Sequence, residues 1–600
     1  MKSITLYPPT KPIQATVAIP GSKSYTNRAL VLAAMTPGKV TLHNPLFSDD
    51  THALIGCLRT LGIRVHTLAQ SIEVEGSIDD VKEGKYELDA NLSGTTIRFM
   101  LALLTIVPGT KTIGGGAGLT KRPIQDLVNA LRELGASITY LEKEGFPPLA
   151  VASSRLMPGT VHLSGATSSQ YLSALLMVAP YVGDITIEIE GAQISKPYIN
   201  MTIASMREFG VEVVNRDPHR YELGGKRRYE KKEYEVEGDY SSAGYFFAAA
   251  VLASSVITVE NLNPKSLQAD KKLLDVLATL GAKITEGKGT VTVERHGNIK
   301  PFAVDVIDFP DQAQTLAVLA AFASGMSVIS GIRSLRVKET DRVAALVTEL
   351  GKLGIKAKAT EDTLTIEGGS PKATTVDTYG DHRMAMSFAL MGIKLAGVTV
   401  RDPGVVGKTF PGFWQTLQSI GVRTAIDPDA SIVLIGMRGS GKTTVGRILA
   451  GHLKRPYLDT DALIVQKVGM SVPEIVKKYG WNFFRDRESK VTEEVSHTER
   501  AVISTGGGVV TKERNVECLK KNGFLVYLEA SLETLEARIG DDPNRPALTK
   551  EGIGLGEVRE VLEQRDSLYR SAADIVIKTD ARSPEKIAYQ IIHSAFPELV

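Results

Sequence analysis

Apolar and polar positions along this chain repeat one pattern six times between Gly21 and Thr424. Each unit opens on a small polar cluster that runs into an apolar helix. The openings are GSKSYTNRALVLAAM from Gly21, SGTTIRFMLALL from Ser93, SGATSSQYLSALLM from Ser164, GDYSSAGYFFAAAVL from Gly238, DFPDQAQTLAVLAAF from Asp308 and YGDHRMAMSFALMG from Tyr379. Each unit closes on a second helical segment that ends in glycine: LRTLGIRV (58–65), LRELGASI (131–138), MREFGVEV (206–213), LATLGAKI (277–284), LGKLGIKA (350–357) and LQSIGVRT (417–424). Gly62, Gly135, Gly210, Gly281, Gly354 and Gly421 can take the left-handed conformation that stops a helix, and the apolar alternation after each predicts a strand. A repeat of about 70 residues exceeds the 20–50 of common solenoids, so the pattern predicts six α/β units. Helix starts rich in Lys, Arg, Ser and Gln suit bound anions, which favours a site over a bare repeat scaffold.

At 600 residues and 43% hydrophobic content the chain can fill several cores. The net charge of +2 gives no field that draws the whole chain to nucleic acid or membrane, so its basic residues act locally. Cys57 and Cys518 are the only cysteines, which excludes a disulfide framework and a cysteine-based zinc site. No apolar run reaches the ~18–20 residues of a membrane span, and the start lacks a hydrophobic signal core. A cytoplasmic location and small-molecule substrates are expected, with no nucleic-acid or membrane partner and with a homo-oligomer or other enzymes as the partners to look for.

A second style of sequence, alternating strand, loop and helix, begins at Ser431 after the short hinge AIDPDA (425–430). A linker this brief keeps two domains close without guaranteeing contact. Gly436-Met437-Arg438-Gly439-Ser440-Gly441-Lys442-Thr443 fits a phosphate-binding loop, with the strand SIVLI before it and the helix KTTVGRILAGHL after it. Asp459 and Asp461 follow at a strand end, one able to hold a metal's water shell and the other facing a polyol. Further on lie Arg485, the triplet Gly506-Gly507-Gly508 after a strand, Arg545 in a Gly/Pro-rich stretch, and Arg565.

With these motifs, residues 431–600 resemble a shikimate kinase, a P-loop domain of the nucleoside-monophosphate-kinase type with a parallel sheet. The resemblance implies that Gly439, Ser440, Gly441, Lys442, Thr443 and Thr444 hold ATP, with Arg545 in a lid over it. It implies Mg²⁺ at Thr443 and, through water, at Asp459, and shikimate at Asp461, Arg485, Gly507 and Arg565. Two arginines can grip a carboxylate bidentately, and phosphoryl transfer depends mainly on positioning and positive charge.

The polar clusters of the six repeats add Lys23, Ser24 and Arg28; Arg98 and Arg122; Ser168, Ser169 and Gln170; Ser195 and Tyr198; Asp311; Lys338, Glu339 and Arg342; Arg383; and Lys408. Taken singly, each is an ordinary solvated charge. At equivalent places in six repeats they are expected to converge. With RPI, SKPY, RVKETDR, DHRMAM and KTFP present, the first ~425 residues resemble 5-enolpyruvylshikimate-3-phosphate synthase. The resemblance implies a two-lobed enolpyruvyl transferase fold of six repeats, an inside-out α/β barrel, with its site in the cleft. Residues 1–20 and 237–426 would form one lobe, 21–236 the other, 427–430 a linker and 431–600 the kinase.

It further implies that Lys23, Gly94, Arg122, Gln170, Arg342, Arg383 and Lys408 bind phosphoenolpyruvate. Shikimate 3-phosphate would fall to Lys23, Ser24, Arg28, Ser168, Ser169, Gln170, Ser195, Tyr198, Asp311 and Lys338. Asp311 and Glu339, with Lys23, are the candidates for acid and base, and no cofactor is implied for this half. His382 reads as packing, because no second histidine or carboxylate is spaced to share a metal. Phenylalanine at Phe99 departs from the proline usual in that loop. With Lys23 in one lobe and Arg342, Arg383 and Lys408 in the other, like charges are expected to hold an empty cleft open.

The sister transferase acting on UDP-N-acetylglucosamine typically has Lys-Asn in the first loop and a reactive cysteine before the later Arg-Pro. Here Ser24 follows Lys23 and GGGAGLTKRP holds no cysteine. A regulatory sensor without activity would have lost Lys442, Asp461, Glu339 or Asp311, and all four remain. The domain order resembles the middle of the fungal pentafunctional arom polypeptide, so a bifunctional enzyme or an excised pair is expected.

Overall fold

The structure, a computed structural model, describes the chain except Met1, Ala69, 153–155, 166–167, Ala192, Ile194, Pro218, Lys226, 540–554 and 597–600. Six four-stranded sheets and one five-stranded sheet are present among the described residues. The six closing glycines all have positive φ, between 79° and 98°, and a strand follows each within four residues, from Arg64–Thr67 in the first unit to Arg423–Ile426 in the last. The glycine is needed at these positions because a Cβ is strained in that conformation.

The six opening helices are Lys23–Ala34, Gly94–Leu104, Ser169–Val182, Tyr240–Ala253, Ala313–Ala321 and His382–Ala389. They are apolar on nearly every side, and so they are buried; Ser242 to Leu252 is buried throughout. Small polar residues at their starts act as caps: Ser168, Asp239 and Asp381 accept backbone N–H groups of the first turn.

Two separate cores result. One gathers apolar residues from Tyr25 to Val236. The other joins Ile4–Ile19 to residues from Tyr240 to Val422. The first strand, Ser3–Tyr7, lies between Val398–Arg401 and Arg423–Ile426, and Gln14–Ala18 pairs in parallel with Val256–Glu260. The strand Glu233–Glu235 returns to pair with Lys39–His43 in the other core.

The chain therefore crosses between cores twice, and the crossings touch. Gly21 bridges Gly238, Ser22 N donates to Glu237 O at 2.8 Å and Asp239 N to Pro20 O at 3.0 Å. A Cβ on Gly21 would lie 1.9 Å from Asn44 O and one on Gly238 1.8 Å from Asn261 O, so only glycine fits either crossing. Asn44 and Asn261 meet as well, Nδ2 to Oδ1 at 3.1 Å.

The five-stranded sheet is parallel, in the spatial order Tyr457–Asp459, Val502–Ser504, Ser431–Ile435, Gly523–Glu529 and Ile575–Lys578. The hinge expected at 425–430 is shorter in the structure, because Ala425 and Ile426 belong to the strand Arg423–Ile426. Contact, left open by the sequence, is made: Ile426 and Ala430 pack with Ile591, Ile592 and Phe596 of the last helix, Pro584–Ala595, and its end. Arg455 closes the junction by donating to Ala430 O at 2.6 Å and Pro428 O at 2.7 Å.

Candidate active sites

Between the two cores, helix starts bring the expected charges together. Arg342, the first residue of a helix capped by Asp341, donates to Asp381 at 2.6 Å, Glu339 at 2.8 Å and Asp311 at 3.0 Å. Arg383, the second residue of a helix capped by Asp381, donates to Asp311 at 2.7 Å. From the other core, Arg122 lies 3.5 Å from Glu339. Lys23 and Lys408 flank the buried Asp50 at 3.2 and 3.0 Å.

The cations thus face one another with carboxylates between them. Asp50, Asp311, Glu339 and Asp381 stand among the cations and balance their charge from within. Burial alone would raise the Glu339 carboxyl, but Arg342, Arg122 and Lys408 outweigh it and hold the group well below its ordinary range. Asp311 is likewise held down, against its burial, by Arg383 and Arg342. The Lys338 ammonium is lowered as well, in its case chiefly by burial.

The remaining expected residues line the same region in different ways. Gln170 accepts from Arg98 at 2.5 Å and donates to Thr95 at 3.1 Å. Ser168 caps the helix that begins at Ser169, and Ser195 stands in left-handed backbone before the helix Lys196–Glu208. Arg28 is buried and donates to Thr202 Oγ1, Ser24 O and Tyr198 O at 2.7, 2.8 and 3.0 Å, so it braces the Ser24 and Tyr198 segments. Gly94 lies under Arg122, where an added Cβ would sit 2.8 Å from Nη1. Burial holds the His382 imidazole neutral, beside the charge of Glu339.

In the parallel-sheet domain, a cavity of about 800 Å³ is lined by the loop Met437–Thr444, Asp459, Asp461, Arg485, Gly506–Gly508 and Arg565. Lys442 donates to Gly436 O and Met437 O, both at 2.8 Å, and burial lowers its ammonium to about 8. Thr443 Oγ1 lies 3.4 Å from Asp459 Oδ2. Burial, then the charge of Glu488, raises Asp461 to about 6. Arg485 donates to Glu488 at 2.6 Å and stacks on Trp481, with its carbon 5.2 Å from the ring centre. Arg565 donates to Gly507 O at 3.1 Å. Arg545 falls outside the described residues.

The family model EPSP synthase (3-phosphoshikimate 1-carboxyvinyltransferase) matches residues 8–417, about two thirds of the chain. The chain belongs to the EPSP synthase family. The Shikimate kinase model matches residues 438–595, so the protein carries both domains. A Pentafunctional AROM polypeptide of Lodderomyces elongisporus is 36% identical across 94% of this chain, which spans only 39% of that relative. A 3-phosphoshikimate 1-carboxyvinyltransferase of a Sulfurovum species is 42% identical over 70% of this chain and 99% of its own length. The solved EPSP synthase of Acinetobacter baumannii shares the fold, at 23% identity and a TM-score of 0.62 over 71% of this chain and 100% of its own.

Sequence reasoning missed several members of both sites. In the EPSP synthase part these are Asp50 and Gln312, and in the kinase part Glu488 and Glu557, the partner of Arg438. Asp381, which pairs with Arg342, was legible at the start of DHRMAM. Nothing local tells which cation or carboxylate Asp50, Gln312, Glu488 and Glu557 meet, because those pairings are made by the fold.

Proposed function

We propose that the chain catalyses two consecutive reactions. ATP phosphorylates the 3-hydroxyl of shikimate, and phosphoenolpyruvate then gives its enolpyruvyl group to the 5-hydroxyl of shikimate 3-phosphate, releasing phosphate. The lobes are assigned as 1–20 with 237–426 and 21–236, followed by the spacer 427–430 and the kinase from 431. The observation that carries the reading is the cluster of Lys23, Arg122, Arg342, Arg383 and Lys408, each within reach of a carboxylate in one cleft. Phosphoenolpyruvate and shikimate 3-phosphate bring two anionic groups each, and these displace the carboxylates as partners of the cations.

That exchange supplies the chemistry. Asp311, ionised beside Arg383, accepts the proton of the 5-hydroxyl as its oxygen bonds to C2 of phosphoenolpyruvate. When the substrate's anions take Arg122, Arg342 and Lys408, burial is left as the main influence on Glu339 and raises its carboxyl. Glu339 then serves, with Lys23, in delivering a proton to the methylene carbon. In the second half Glu339 takes a proton back from the methyl group, and Asp311 returns its proton to the phosphate oxygen as the C2–O bond to phosphate breaks, restoring the double bond.

In the kinase, Lys442 exchanges two backbone carbonyls for ATP phosphates, and Arg485 with Arg565 grips the shikimate carboxylate. Asp461 orients the hydroxyl that attacks. Thr443 and Asp459 offer hard oxygens of the kind Mg²⁺ prefers, and the ion would neutralise phosphate charge there.

Lys442→Met tests the two-site reading. Shikimate phosphorylation should disappear, while turnover of supplied shikimate 3-phosphate with phosphoenolpyruvate persists. Loss of both activities in a folded variant would overturn it.

A further inference from the structure

Tyr198 belongs to the lobe whose core runs from Tyr25 to Val236, yet it packs against both cores. Its hydroxyl donates to Asp270 Oδ2 at 2.9 Å in the opposite lobe. The other oxygen of Asp270 accepts from Gln312 Nε2 at 3.0 Å. Gln312 immediately follows Asp311 in the short turn Pro310–Gln312, so one buried carboxylate links a residue facing shikimate 3-phosphate to the turn that carries the base.

The surroundings leave this turn little freedom. The Gln312 amide also donates to Ser241 O at 3.4 Å and presses on the helix Tyr240–Ala253, where a Cβ on Gly244 would lie 2.5 Å from its oxygen. Two residues before Asp270, Gln268 donates to Gly238 O at 2.7 Å and Glu237 Oε1 at 2.8 Å and accepts from Tyr240 N at 3.0 Å. Gln268–Asp270 is therefore tied to the crossing between the lobes at one end and to the base-bearing turn at the other. If the lobes separate, Tyr198 is withdrawn and Asp270 keeps only the partner beside Asp311.

We propose that Asp270 is a positioning residue: closure of the lobes delivers Tyr198 to its carboxylate, and Asp270 through Gln312 then fixes the Asp311 turn for proton transfer. This rests on the synthase reading. Burial and then the neighbouring Asp311 charge raise the Asp270 carboxyl, and burial lifts the Tyr198 phenol well above its usual value, so the tyrosine remains the donor. Such a group acts on the placement of reacting atoms more than on substrate affinity.

The test uses the full chain with supplied shikimate 3-phosphate and phosphoenolpyruvate. Asp270→Asn and Tyr198→Phe should each lower kcat about 10- to 100-fold while the KM for phosphoenolpyruvate moves less than about 3-fold. The double variant should be no worse than the poorer single one, because both remove one contact. Gln312→Met, which keeps the shape and loses the bond to Asp270, should show the same split and serves if Asp270→Asn fails to fold. Shikimate phosphorylation by the same preparations, unchanged, shows that the chain is folded. Wild-type protein inactive on supplied shikimate 3-phosphate would sink the synthase reading itself. An active wild type with multiplying losses in the double variant, or with Gln312→Met at wild-type kcat, would overturn the positioning role alone.

Discussion

Lys408 donates through Nζ to the carbonyl oxygen of Leu92 at 2.8 Å, a bond that joins one lobe to the other. The same ammonium group pairs with Asp50 at 3.0 Å, so a residue assigned to phosphoenolpyruvate also helps hold the lobes together. A charge-assisted bond of this kind contributes about 1.5–3 kcal/mol. Lys408→Ala should therefore raise the KM for phosphoenolpyruvate by on the order of 10- to 100-fold. The variant's radius of gyration in small-angle scattering, without ligands, should exceed that of wild type. Equal radii would show that this contact does not hold the lobes.

Glu339→Gln and Asp311→Asn keep the side-chain shape and remove the proposed proton donor and proton acceptor respectively. Each should cut synthase kcat by about 10²- to 10⁴-fold, the usual share of a general acid or base. Steady-state kinetics with both substrates varied separates this from weakened binding. An unchanged kcat in either variant removes that carboxylate from the mechanism.

Gly94→Ala places a methyl group 2.8 Å from Arg122 Nη1. The guanidinium must move, and with it one of the holds proposed for the phosphoenolpyruvate anion. The KM for phosphoenolpyruvate should rise about 10-fold or more, the equivalent of ~1.4 kcal/mol, while that for shikimate 3-phosphate changes little. A rise in both KM values would place Arg122 in the wrong subsite.

Asp461 titrates at about 6 in the folded protein, above its ordinary 3.8. The folded state therefore holds this proton more tightly than the unfolded chain. The effect favours folding below about pH 4 and fades as pH rises through 6. At pH 7 the ionised carboxylate is a net cost, so Asp461→Asn should stabilise the kinase domain while abolishing its activity. The side chain stays partly open to the cavity, and solvent there screens its charge, so the gain should be about 1–2 kcal/mol. Urea unfolding followed through Trp481, with Trp414 replaced, measures it. A destabilised variant at pH 7 would contradict the burial argument.

Ile426 is the last residue of a synthase strand and is buried in the kinase core with Ile591 and Phe596. Ile426→Ala should cost about 2–5 kcal/mol. The loss should reach both domains, because the side chain belongs to one and packs in the other. Unfolding of the two domains at unchanged midpoints would mean that the junction is only a tether.

The sequence alone carried the repeat, the fold class and the likeness to both families. Helix-ending glycines, apolar alternation and the phosphate-binding loop act over a few residues, so Gly62 to Gly421 and Gly436 to Thr443 are legible without a fold. Lys23, Arg342 and Lys408 were also legible, because each sits in a polar cluster at a recurring place. The tertiary structure decided how those charges are balanced. Asp50, Asp270 and Gln312 have no local signature and matter only because distant segments meet: Asp50 between Lys23 and Lys408, Asp270 between Tyr198 and Gln312. It also decided that the kinase packs on the synthase, since whether Ile426 is buried depends on a helix more than 150 residues away. Short-range patterns report conformation and residue type, while the pairing of buried charges and the contact between domains depend on long-range packing.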